Sequence, residues 1–179
     1  YAGALGNSLK VSVCASSNAY FNDAVNLINS GSGHAAGSTT VVVDAGNAYN
    51  VRDIIKFQNH DTFYRVDAIS TNTLTITALG QPAGTGLTSA VVDNEQVDRR
   101  WEFFDLFDKA PGTSAGASAV GAANDEIHIV VVDEDGLITG TKNEVLETFG
   151  FVSLASDAKD SIGNSNYYKD VIERESNYI

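Results

Sequence analysis

The sequence predicts an α/β (α+β) protein: a mixed sheet with flanking helices, interrupted by a small inserted antiparallel β-barrel or sandwich module. Three observations carry this. Residues 126–140 read EIHIVVVDEDGLITG, where Ile127, Ile129 and Val131 alternate with His128, Val130 and Val132. A run that is β-branched and apolar on both faces suits a strand buried on two sides, the central strand of its sheet. Near both ends of the chain, apolar residues recur at helical spacing. Between Thr39 and Val97, by contrast, short strand-like runs follow one another with close polar turns and no helical period. Residues 1–38 and 98–179 are therefore read as a discontinuous core domain, and 39–97 as an inserted β-rich module.

Taken in order, Tyr1 to Ser8 is rich in Gly and Asn and reads as a loop. Leu9, Val11 and Val13 then alternate with Lys10, Ser12 and Cys14, the period of a strand. From Asn18, Tyr20 or Phe21, Ala24, Val25 and Ile28 predict a short helix over Ala19 to Asn29, with Asn18 as its cap. The Ser30 to Ser38 stretch is dense in Gly and Ser and reads as a flexible boundary. The module follows, with strands expected at 39–43, 54–57, 63–69, 73–77 and 90–92. Its layout is one that SH3-like barrels often show, which says nothing of a ligand. Trp101, Phe103, Phe104 and Phe107 bring back aromatic density and are expected to seal the join between domain and module. Gly112 to Asn124 has almost no large side chain and reads as an exposed mobile loop. After the central strand, Asp133-Glu134-Asp135-Gly136 is expected to form a tight hairpin turn, with Leu137 to Thr139 extended again. Thr141 to Glu144 matches a capping box, but Val145, Phe149, Phe151 and Val152 favour a strand over 145–153. Finally Tyr168, Val171, Ile172 and Glu175 share one helical face, capped by Asn164 or Ser165.

Composition narrows the function classes. The 179 residues suffice for one well-buried domain or a domain with a smaller insertion, and 43% are hydrophobic. No window approaches the roughly 18 consecutive apolar residues of a membrane span, so membrane insertion is not expected. No basic-then-apolar secretory order opens the chain. Met is absent and the chain begins at Tyr1, which suggests a piece of a longer product. A net charge of −12 and a pI near 4.4 make an acidic surface that repels phosphate backbones, so nucleic acid is not an expected partner. The single Cys14 cannot form an internal disulfide and is read as a small core residue.

Few residues invite chemistry. Asp133 to Gly136 resembles the first half of an EF-hand calcium loop, but the bidentate Glu that should follow the Gly by about six residues is replaced by Lys142. The turn is preferred to the ion site. Gly31-Ser32-Gly33-His34-Ala35-Ala36 loosely matches a dinucleotide fingerprint, yet follows a helix and precedes a strand, the reverse of what pyrophosphate binding needs. His34, His60 and His128 lack the pair spacing of zinc motifs, and no Gly-x-Ser-x-Gly elbow accompanies the many Ser and Asp residues. No catalytic, cofactor-binding or metal-binding residue is assigned, no cofactor is expected, and the chain is not expected to be an enzyme.

One family shares an ordered set of motifs with the chain. Residues 1–11 (YAGALGNSLKV) resemble the Gly-rich turn and Gly-Asn-Ser-Leu strand of phage contractile tail sheath proteins. Leu106 to Ser114 is similar to their Phe-Asp-x-Ala-Pro-x-Thr-Ser segment, and Ile127 to Gly136 to the strand and turn that follow. Val145 to Phe149 resembles the Val-Leu-Glu-x-Phe strand, with Val152-Ser153 and Asp157 to Asp160 after it. Gly163 to Tyr168, Val171-Ile172, Ser176 and Tyr178-Ile179 resemble the closing Asn-Tyr-Tyr, Val-Ile, Ser, Tyr-Ile helix. The set covers about two thirds of the chain and is nearest to T4-like and cyanophage-like sheaths. The resemblance implies a structural virion subunit that needs neither nucleotide nor catalytic residue. It would assemble with other copies of itself as a helical sleeve, contact tail tube and baseplate proteins through segments outside this piece, and contract to drive the tube through the host envelope. Extended arms would add strands to neighbouring subunits. The 39–97 module falls where such proteins tolerate insertions and would project outward. The rival expectation is a calcium- or carbohydrate-binding β-rich adhesion module, with a metal hydrolase third.

Overall fold

A computed structural model describes residues 4–23 and 26–179. Its strands are β1 (Leu9–Cys14), β2 (Phe21–Asn22), β3 (Thr40–Val42), β4 (Ile54–Phe57), β5 (Phe63–Ser70), β6 (Thr73–Ala78), β7 (Val97–Arg100), β8 (Glu126–Asp133) and β9 (Glu144–Ser153). The helices are α1 (Ser17–Tyr20), α2 (Ala115–Ala119) and α3 (Tyr168–Glu175). The chain divides into two compact units, Tyr1–Tyr20 with Asp105–Ile179, and Phe21–Phe104. The fold is α+β, with two antiparallel sheets of three and six strands.

The first unit is built on β8, the middle strand of the order β1-β8-β9. Every residue from Ile127 to Asp133 is buried, as its two-sided apolar pattern requires. On one face Ile127, Ile129 and Val131 pack with Phe149, Val152 and Val171, bordered by Leu9, Leu146, Tyr168, Ile172 and Tyr178. Each such Ile or Val contributes about 1.5–3 kcal/mol when fully buried. That cluster fixes α3 against the sheet. The ladders are antiparallel rather than mixed, and the parallel contact here is an isolated bridge between Ser153 and Tyr167. Helix α3 starts after Tyr167, not at Asn164 or Ser165, although the Ser165 hydroxyl donates to Asp170 at 2.6 Å.

Opposite His128 the β8–β9 register slips: Ile127 pairs with Val152 and Ile129 with Phe149, so two residues, Gly150 and Phe151, face one. This is a β-bulge, and Phe151 adopts a φ of 57° there, a conformation that strains a bulky side chain. Gly150 fits because an added Cβ would lie 3.1 Å from the Phe107 ring.

The second unit is one antiparallel sheet of order β2-β7-β4-β5-β6-β3. Its ladder does not close into a barrel, although isolated bridges join Leu27 to Gln96 and Ile28 to Val43. Val41, Ile55, Phe57, Tyr64, Val66, Leu74, Ile76 and Val97 form its core. The unit is wider than the expected 39–97 because flanking segments supply strands and core. The helix expected over Ala19 to Asn29 stops at Tyr20, while Phe21 and Asn22 pair with Arg100 and Arg99. Ala24 and Val25 lie outside the described residues. Ile28 is 1% exposed and its N–H donates to the Glu95 carbonyl, so burial in the sheet outweighs the helical spacing. Ser30 to Ser38 is likewise no free boundary: His34 and Val91 exchange backbone hydrogen bonds of 2.9 Å in both directions. Gly33 is required beside them, since at its φ of 65° a Cβ would meet the Val91 oxygen at 2.2 Å. That single bridge replaces the strand expected at 90–92.

Candidate functional site

The acidic tip after β8 is the first place to look, and its chemistry is consumed internally. Asp133 is fully buried. One carboxylate oxygen accepts the Gly136 N–H at 3.0 Å; the other accepts from Ile138 N–H, Thr139 N–H and the Thr139 hydroxyl at 2.6–2.9 Å. Burial alone would raise the pKa of this carboxyl, but these donors prevail and hold it below the ordinary carboxylate value. Drawing the loop N–H groups inward prevents Leu137 to Thr139 from pairing as a strand, so the expected tight hairpin is a longer connection to Glu144. Asp135 accepts the Ser8 hydroxyl and the Leu137 N–H, while Glu134 points to solvent. The carboxylates serve different partners and do not converge on one point. Among the described residues no group of three His, Cys, Asp or Glu side chains is placed to hold a metal ion.

His128 has a defined role that its sequence position did not reveal. Its Nδ1 lies 3.1 Å from the Phe151 N–H and must accept, so the ring carries its proton on Nε2, which donates to the Lys109 carbonyl at 2.9 Å. The imidazole stacks on Phe107, with centroids 4.2 Å apart and planes within 2°. Phe151 and Tyr20 meet it edge-on at 4.5 and 6.0 Å. Full burial lowers its pKa and keeps the ring neutral. It thereby pins the 107–109 segment to the bulge of β9, and the Tyr20 hydroxyl reinforces this by donating to the Phe107 carbonyl.

A third cluster joins Ser114, Asp125 and Ser153, all buried. Asp125 accepts the Ser114 N–H and hydroxyl at 2.8 and 2.7 Å, and also the Ser153 hydroxyl. Burial opposes its ionisation, but the Ser153 and Ser114 bonds win and lower its pKa. Ser114 also caps α2 by accepting the Ala117 N–H, so the expected mobile loop carries a short helix. No histidine enters this group: His34 accepts the Val42 N–H, and His60 lies between Tyr64 and the Ala90 carbonyl. A cavity of about 220 Å³ beside α2 is lined by Ala117, Val120, Ala122, Ala155 and Ala158, with Asp125 and Asp157 among its walls. Cys14 is buried at the end of β1, as a core residue. Ser114 and Asp125 were missed in the sequence because their partnership spans a segment that reads as featureless.

These arrangements anchor backbone. No protein-family model, no curated protein and no solved structure matches the chain. No helix among the described residues is long and apolar enough to cross a membrane.

Proposed function

We propose that the chain is part of the subunit of a phage contractile tail sheath, a structural protein of the virion without catalytic activity. The observation that carries the proposal is where the motifs fall. Every motif that resembles the sheath family falls within 1–11 or 106–179 and so in the first compact unit, while the second unit, Phe21–Phe104, holds none of them. The anchors described above act on those same motifs: His128 holds Phe107 and Lys109, and Asp125 holds Ser114. A force-transmitting subunit needs such a stiff body, because contraction rearranges rigid cores while flexible connections keep the lattice together.

The three-stranded sheet also suits assembly. From Glu144 to Phe149, β9 pairs with β8, and its outer side has no strand neighbour among the described residues. An extended arm from another copy would add there by main-chain hydrogen bonds. In this reading the partners are other copies in a helical sleeve, with tube and baseplate proteins reached through further segments. Expression together with the flanking segments tests it. Tubular assemblies under the electron microscope support the proposal; a monodisperse monomer at high concentration rejects it.

A further inference from the structure

Among the described residues of the second unit, one arginine has no carboxylate partner. Three of its arginines are paired with carboxylates: Arg52 with Glu102, Arg65 with Asp67 at 2.7 Å and Arg99 with Asp53 at 3.2 Å. Arg100 is different. Its guanidinium carbon lies 4.9, 4.8 and 5.1 Å from the ring centroids of Phe21, Phe63 and Phe104. Its Nε is buried with no hydrogen-bond partner. The carboxylates two residues either side are engaged elsewhere, Asp98 with Gln96 and Glu102 with Arg52. Lys56, directly across from Phe63 in the β4–β5 ladder, places its ammonium 5.6 Å from the same ring.

Aromatic faces offset the charge of a guanidinium but do not accept its N–H bonds in the plane. A buried donor left unsatisfied costs about 1–3 kcal/mol, so such a group calls for an explanation, and a ligand is one. Within a chain of net charge −12, a guanidinium with no ion-paired carboxylate among the described residues stands apart from the other three arginines of its unit. We infer that Arg100, walled by Phe21, Phe63 and Phe104 and backed by Lys56, is a binding site for a carboxylate. The planar fork of the guanidinium matches a carboxylate's two oxygens, the rings exclude water from the pair, and Lys56 adds a second positive charge. Arg100 is half-buried and Phe21 is 37% exposed on the short strand β2, so the outer wall is open to a ligand. The carboxylate is either a free small diacid or a Glu or Asp side chain of a second copy. The inference is independent of the sheath reading.

The test follows the backbone amide resonance of residue 100 in the full chain by NMR while succinate is added at constant ionic strength, with sedimentation at low and high salt as the second arm. A saturable shift that weakens roughly tenfold in Arg100→Lys, the size of one lost charge-assisted hydrogen bond, identifies a free diacid. Salt-sensitive self-association abolished by Arg100→Lys identifies a carboxylate of another copy. Lys56→Ala, which removes only a surface cation, weakens whichever binding occurs and serves if the arginine variant does not fold. An unmoved resonance without self-association overturns the inference, as does a shift that chloride reproduces.

Discussion

Replacing His128 by Leu keeps the volume of a core side chain and removes both ring nitrogens. The Phe151 N–H and the Lys109 carbonyl then lose their partners. Each of the two orphaned groups costs about 1–3 kcal/mol, and the lost stack on Phe107 about 0.5–1.5 more, so the first unit should be destabilised by about 2.5–7.5 kcal/mol. Hydrogen exchange at the β8 and β9 amides reads this unit directly. The single Trp101 lies in the other unit, so its fluorescence serves as an internal control. A pH arm separates the imidazole from general packing. Because burial lowers the folded-state pKa of His128 below its unfolded value near 6.5, the unfolded chain binds the extra proton. Stability is then complete above pH 6.5 and declines as pH falls below it, by at most about 1.4 kcal/mol per unit for one proton. His128→Leu should lack this decline. Protection of the β8 amides that falls by less than about 1 kcal/mol, or an unchanged pH profile, would refute the anchoring role.

Further outcomes follow from the loops and from the β9 bulge. Asp133→Asn should flatten the loss of stability that accompanies protonation of this carboxyl: its lowered pKa gives stability that is present above pH 3.8 and lost as pH falls through the folded value. Calcium should leave the melting temperature of the wild type and of a D133N/D135N variant unchanged, and a calcium-induced rise in the wild type that the variant loses would restore the ion-site reading. Gly46→Ala should cost the second unit about 3 kcal/mol or more in urea unfolding, because its Cβ would sit 2.0 Å from the Thr71 backbone oxygen. Gly150→Ala should cost the first unit less, since the Phe107 ring can give way at 3.1 Å; equal losses would contradict the contrast.

What the sequence conveyed was local. The β-branched run of β8, the alternation of β9 and the helical face of α3 are patterns a short window contains, and each formed close to where it was read. What it concealed was assembled over distance. Ile28 sits at helical spacing, but its N–H is satisfied by Glu95 and its side chain by a core built largely from residues 41–97. Ser30 to Ser38 looked flexible because its order comes from Val91 and Val42, far along the chain or across a turn. Asp133 was visible as an acid but not as the acceptor that folds its own loop. The Arg100 cage joins Arg100 and Phe104 of one aromatic-rich stretch to Phe21 and Phe63, which lie far from it in sequence.

The central claim concerns assembly, and electron microscopy tests it most directly. The protein, expressed with any segments that its gene places around it, is concentrated and imaged in negative stain. The sheath reading predicts hollow tubes with a regular helical repeat. Monomers that remain dispersed at high concentration, with a melting temperature raised by calcium, would contradict it and favour an adhesion module.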